Sequence, residues 1–220
     1  TDSSPFTTVN KFAFPGDSRT TLGTGLSVAR WGVSGISNND VAGYAAGGFD
    51  TSSYVSTIDK FAFPSDTRTT LSPGMNDGRY DPAPMSNTAV AGYTAGGESS
   101  AANYVATTEK LTFSTDASST LATGLSNSDM GSAGFSNPGT AGYVAGGMAP
   151  SAYITTVNKF DFSDDTRSTL ATGLSSNRAY SNGGMYNSGT AGYAAGGQVG
   201  SFVTTVDKFA FPSDSRTTLA

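Results

Sequence analysis

The chain has 220 residues, 28 of them Gly, and a net charge of −5 with neither Cys nor His. Without Cys there is no disulfide framework or thiolate site, and without His the commonest general base, metal ligand and pH switch are missing together. The acidic balance disfavours a nucleic-acid partner, and no apolar run approaches the roughly 20 residues that span a bilayer, so neither nucleic-acid binding nor membrane insertion is expected.

Thirteen Phe and ten Tyr recur at regular places, which separates the chain from a disordered Gly-, Ser- and Thr-rich polymer. The first element is "TTVNKFAFPGDSRTTL" from Thr7. Val9, Lys11 and Ala13 alternate with Asn10, Phe12 and Phe14, the period of a strand. The turn residues "PGDS" follow, then a short β-branched segment, so the unit reads as a hairpin of strands c and d. Next comes "RWGVSGISNNDV" (30–41), a strand a with its turn, and then "AGYAAGG" (42–48), a strand b of small residues closed by Gly-Gly. A second c–d unit, "STIDKFAFPSDTRTTL", starts at Ser56.

The rest of the chain repeats this order. Strand b returns as "AGYTAGG" (91–97), "AGYVAGG" (141–147) and "AGYAAGG" (191–197), and c–d units start at Thr107, Thr155 and Thr204. Lys11, Lys60, Lys110, Lys159 and Lys208 share one register and step by 49, 50, 49 and 49 residues. Arg19, Arg68, Arg167 and Arg216 share a second, and Arg30, Arg79 and Arg178 a third. Four strands per fifty residues make an all-β propeller blade. The expected layout is one domain: a half-blade at 1–22, then blades at about 23–72, 73–122, 123–171 and 172–220.

The order Arg30, Gly43-Tyr44, Gly47-Gly48, Tyr54 and Val-x-Lys-Phe resembles the kelch repeat. The chain departs from that repeat at Asp129, which stands where Arg is expected, and in strand d, where "TTL" or "STL" replaces the usual Trp. A narrower likeness joins "GYxAGG" to "TVDKFxFxxDTRxTL". It is similar to repeats in predicted virion and tail-fibre proteins of marine bacteriophages, cyanophages among them, and implies a virion or extracellular setting. There are five c–d hairpins and four a–b pairs. The favoured explanation is a segment of a longer protein. The others are a five-bladed ring with one incomplete sheet, and four blades plus a hairpin that pairs with another copy through its open edge.

Catalysis is not expected, since no Ser–His–Asp or Cys–His set can be assembled. Asp17, Asp66, Asp116, Asp165 and Asp214 read as turn residues bonding their own backbone. Asn38, Asn87, Asn137 and Asn187 read as turn residues with positive φ rather than metal ligands. The acids before the lysines, such as Asp59, read as cross-strand partners on an outer strand. No metal or cofactor site is expected. The candidate contact residues lie in the d–a connections: Trp31, Tyr80 and Tyr180, suited to sugar or protein contact, with Arg30, Arg79 and Arg178 expected to bridge blades or meet a ligand. Tyr54, Tyr104 and Tyr153 read as packing residues. Two functions follow. One is a non-enzymatic structural or adhesive surface protein, contacting other virion or surface proteins; the other is a multivalent carbohydrate-binding propeller.

Overall fold

In the computed structural model, residues 4–99, 103–181 and 183–219 are described, and among them there is no helix. An N-terminal hairpin pairs β1 (Asn10–Ala13) with β2 (Ser18–Thr21). Sheet I follows, from β3 (Ser34–Asn38), β4 (Ala42–Ala46), β5 (Ile58–Ala62) and β6 (Thr67–Thr70), antiparallel and in chain order. After the two-residue β7 (Arg79–Tyr80), sheet II forms from β8 (Ala83–Asn87), β9 (Ala91–Ala95), β11 (Thr108–Thr112) and β12 (Ala117–Thr120), with β10 (Glu98–Ser99) pairing β7. Sheet III comprises β13 (Ala133–Asn137), β14 (Ala141–Ala145), β17 (Val157–Asp161) and β18 (Arg167–Thr169), with a small β15 (Met148–Ala149)–β16 (Ala152–Tyr153) ribbon. Sheet IV comprises β19 (Gly183–Asn187), β20 (Ala191–Ala195), β23 (Val206–Ala210) and β24 (Ser215–Leu219), with a β21 (Gln198–Val199)–β22 (Ser201–Phe202) ribbon. The architecture is propeller-like: β3, β8, β13 and β19 stand side by side on the inside. They border a cavity of about 440 Å³ lined by Gly35, Pro84, Gly134 and Gly184 from equivalent positions.

The core lies between sheets. One cluster joins Ile36, Tyr44 and Ile58 of sheet I to Leu111 and Phe113 of sheet II. A second joins Met85 and Tyr93 to Val144, Phe160 and Phe162, and a third joins Phe135, Tyr143 and Val157 to Ala194, Phe209 and Phe211. The Ala-Gly-Tyr spelling of strand b follows from this contact. Ile36, Met85 and Phe135 occupy the space that a Cβ on Gly92, Gly142 and Gly192 of the next sheet would need. Tyr44, Tyr93 and Tyr143 stack on Phe113, Phe162 and Phe211 at 5.2–5.3 Å. Apolar burial and ring stacking therefore recur at every junction, the main stabilising terms of such an array.

Polar groups stitch the same junctions. Lys60, Lys110 and Lys159 donate to Asp116, Asp165 and Asp214 of the following sheet, each at 2.6 Å. Tyr93 and Tyr143 donate to the second oxygen of Asp165 and Asp214 at 2.8 and 2.7 Å. The turn aspartates do sit at positive φ, between 48° and 58°. Their carboxylates from Asp66 onward, however, serve the preceding repeat rather than their own backbone. The asparagines also differ from expectation. Asn38, Asn87 and Asn137 accept from the N–H of Ala89, Gly139 and Gly189 in the next sheet, and it is those downstream residues that take positive φ. A side chain that reads locally as a turn former is spent on an inter-sheet contact in each case.

The series stops at both ends of the described chain. Met185 is 53% exposed where Met85 is 1%, and Phe12 is 57% exposed where Phe160 is fully buried. Lys208 and Asp17 have no ion-pair partner among the described residues. β1 pairs only with β2, whereas the equivalent β5, β11, β17 and β23 pair on both edges.

Gly134 gives a local test of the inner packing. A Cβ there would overlap the Pro84 carbonyl, which is backbone and cannot rotate away, whereas Gly35 in the same register opens to free space. Gly134→Ala is expected to cost about 2–3 kcal/mol in urea unfolding, and Gly35→Ala less than about 0.5 kcal/mol.

Candidate functional site

Each d–a connection runs beside the b–c connection of the sheet it enters, and short ladders tie the two together. Trp31 bridges Phe49, Tyr80 pairs with Glu98, Met130 bridges Met148 and Ala179 bridges Gln198. The Trp31 and Phe49 backbones exchange hydrogen bonds of 3.2 and 3.0 Å. The b–c loop of sheet I is further held by Asp50, whose Oδ1 accepts from the N–H groups of Ser52 and Ser53 at 3.0 and 2.8 Å. Those bonds hold the Asp50 carboxyl down at about 2.

At the junction of sheets I and II these loops form a cup. Trp31, Phe49, Tyr54, Tyr80 and Glu98 line a cavity of about 200 Å³, and all five are half-buried. The rings are tilted: Trp31 and Phe49 lie 5.9 Å apart at 46°, and Phe49 and Tyr54 lie 5.2 Å apart at 63°. Burial, a hydrogen bond to Glu98 and the charge of Glu98 push the Tyr54 phenol up to about 12. Burial and the charges of Asp81 and Glu98 push Tyr80 upward as well. No Lys or Arg lines the cup.

Trp31 and Tyr80, expected as contact residues, thus meet in one cavity. Tyr180 does not join them. It stands one position later in its repeat than Trp31 and Tyr80, at φ 55°, with its hydroxyl 3.8 Å from the Met148 sulfur. Tyr54 belongs to the cup rather than to interior packing. Phe49 and Glu98 were not singled out by the sequence reading. The signal was available: the residue after each Gly-Gly is Phe49, Glu98, Met148 or Gln198, a variable position in an otherwise uniform repeat.

The arginines lie beneath this face. Arg30, Arg79 and Arg178 are 4%, 1% and 0% exposed. Their guanidinium groups meet Asp59, Glu109 and Asp207 at 3.0, 3.0 and 2.8 Å and reach backbone carbonyls at Ala45, Thr107 and Ala194. Their side chains are buried pillars within the sheet they enter, and the expected bridging is made by the main chain: the Arg79 and Arg178 carbonyls accept from the N–H of Gly48 and Gly147 in the preceding sheet at 2.6 and 2.8 Å. The acids before the lysines are the partners of these arginines and, for Asp59 and Asp207, also of the cross-strand Thr70 and Thr218, whose hydroxyls donate to them at 2.8 Å; the strand that carries them is paired on both edges rather than outermost. Sheet III lacks the pillar at both ends, with Asp129 for Arg and Asn158 for the acid. Asp129 is 1% exposed, accepts from Ser132 Oγ at 2.7 Å and leaves Oδ2 without a partner. Burial pushes its carboxyl up to about 7, against the lowering effect of Ser132.

Among the described residues no three His, Cys, Asp or Glu side chains converge on a common point. No family model matches the sequence, and no curated protein matches it. Among solved structures the chain is similar to YjhT, a β-propeller, with 14% identity and a TM-score of 0.76 over 97% of this chain and 75% of that one.

Proposed function

We propose that the chain is a non-enzymatic, kelch-like propeller of an adhesive surface structure, of the virion or tail-fibre kind, that recognises a host or partner through its loop face. One observation carries this reading. The residues that build the frame repeat nearly unchanged, while the paired loop positions vary as Trp31/Phe49, Tyr80/Glu98, Met130/Met148 and Ala179/Gln198. A constant scaffold with variable loops on one face suits recognition. The free edge of β1 is where this reading puts contact with neighbouring surface proteins or a second copy.

A second reading, carbohydrate binding, is favoured by half-buried aromatic rings beside the Glu98 carboxylate, which can accept from hydroxyl groups. A glycan array and a whole-cell adhesion assay test both. The expected result is retention on cells or on a defined glycan, falling at least about tenfold in Trp31→Ala/Tyr80→Ala. A folded wild-type chain that is retained on neither sinks the proposal.

A further inference from the structure

The cup at the junction of sheets I and II has the makings of an organic-cation site, and we infer that it binds a methylated ammonium group. The inference rests on the loop face being the recognition surface and names the ligand class of its best-formed cavity. Three features of Trp31, Phe49, Tyr54, Tyr80 and Glu98 point the same way.

The first is shape. A neutral pyranose stacks on a flat ring, but the rings here are set at 46° and 63° to their neighbours and so form concave walls. A rounded head such as trimethylammonium meets several ring faces at once in such a space. The second is charge. Glu98 is the one ionisable carboxylate of the lining, and no Lys or Arg stands beside it to neutralise it. Asp81 adds its field at Tyr80. Burial first, and then the hydrogen bond to Glu98 and its charge, raise the neighbouring Tyr54 phenol. An anion is repelled from this cup and a cation is attracted. The third is preorganisation. Trp31, Phe49 and Tyr54 are linked by successive backbone bridges, as are Tyr80, Glu98 and Tyr104. Walls held by ladders lose little freedom when a ligand enters. The connections entering sheets III and IV carry Met130/Met148 and Ala179/Gln198 in these registers, so among the described residues this ring set occurs at one junction.

Trp31 is the single tryptophan of the chain, so its fluorescence reports on the cup alone. The experiment titrates the 220-residue protein with choline, with its uncharged carbon isostere 3,3-dimethyl-1-butanol and with methyl glucoside. Choline is expected to quench Trp31 saturably, with a dissociation constant of roughly 1 mM. Glu98→Gln should weaken it about tenfold without moving the unfolding midpoint, and Phe49→Ala should abolish saturation. The isostere separates cation recognition from simple apolar burial. Equal response to the isostere, or no saturable response to about 100 mM choline in folded protein, overturns the inference. A response to methyl glucoside alone also overturns it, yet leaves the adhesive reading intact. That reading fails separately, in the adhesion assay.

Discussion

Asp129→Asn is expected to flatten the pH dependence of stability between pH 4 and 7 and to stabilise the protein at pH 8. The Asp129 carboxyl sits at about 7 in the folded chain, against an ordinary value of 3.8. Between those values the unfolded chain releases this proton and the folded chain keeps it. Stability therefore falls as pH rises through this window and levels off above about 7. A shift of this size corresponds to roughly 2–4 kcal/mol once relaxation around the buried charge is allowed for. The neutral amide carries no such cost, so urea unfolding at pH 4.5 and pH 8 should give similar midpoints for the variant and well-separated ones for the parent. A parent midpoint that does not change over this range would exclude the mechanism. The acid side has the opposite sign. In Asp207, burial pushes the carboxyl up, but hydrogen bonds from Ser175, Thr218 and Arg178 hold it below its ordinary value overall. That contribution is present above the unfolded pKa and is lost as pH falls through the folded one.

Arg79→Met is expected to destabilise the chain by about 3–5 kcal/mol, because it strands a buried carboxylate. Glu109 is 2% exposed and would keep only the Asn76 N–H, at 2.8 Å, and Ser118 as partners. The double variant Arg79→Met/Glu109→Leu should recover most of the loss, since an apolar pair of similar volume removes both desolvation costs. A double-mutant cycle on chemical unfolding measures this coupling. Sheet III already runs a version of the experiment, with Asp129 and Asn158 in the two positions. Its folded core shows that the pillar can be dispensed with when both partners change, although Asp129 brings back a buried ionisable group.

The strands and their order were legible because the signal for them is local and repeated: alternation as in Val9–Phe14 with the turn residues after it, five times, and Gly-Gly after Ala-Gly-Tyr, four times. The junction chemistry was much less legible. Asp116, Asn87 and Lys110 each carry ordinary local explanations, and their actual partners lie 52–56 residues away, in a register that only the packed sheets define. Asp59 was half legible: its cross-strand partner Thr70 follows from strand pairing, whereas Arg30 is brought to it by the fold. In the candidate site, Trp31 and Tyr80 stood out as aromatics among polar residues. Phe49 and Glu98 did not, because their importance depends on which loop lies beside which.

Every junction uses the same contact set, from the Ile36–Gly92 pair through the Lys–Asp bond to the Asn–N–H cap. Units of 49–50 residues can therefore be exchanged, duplicated or deleted as cassettes, with no interface left to reinvent. Recombination between the near-identical AGYxAGG stretches would cut between strand b and the loop that follows it, carrying Phe49, Glu98, Met148 or Gln198 to a new partner. A chain built this way can draw new pairings of loop residues from a fixed stock, changing the side chains its face presents while the frame beneath stays the same.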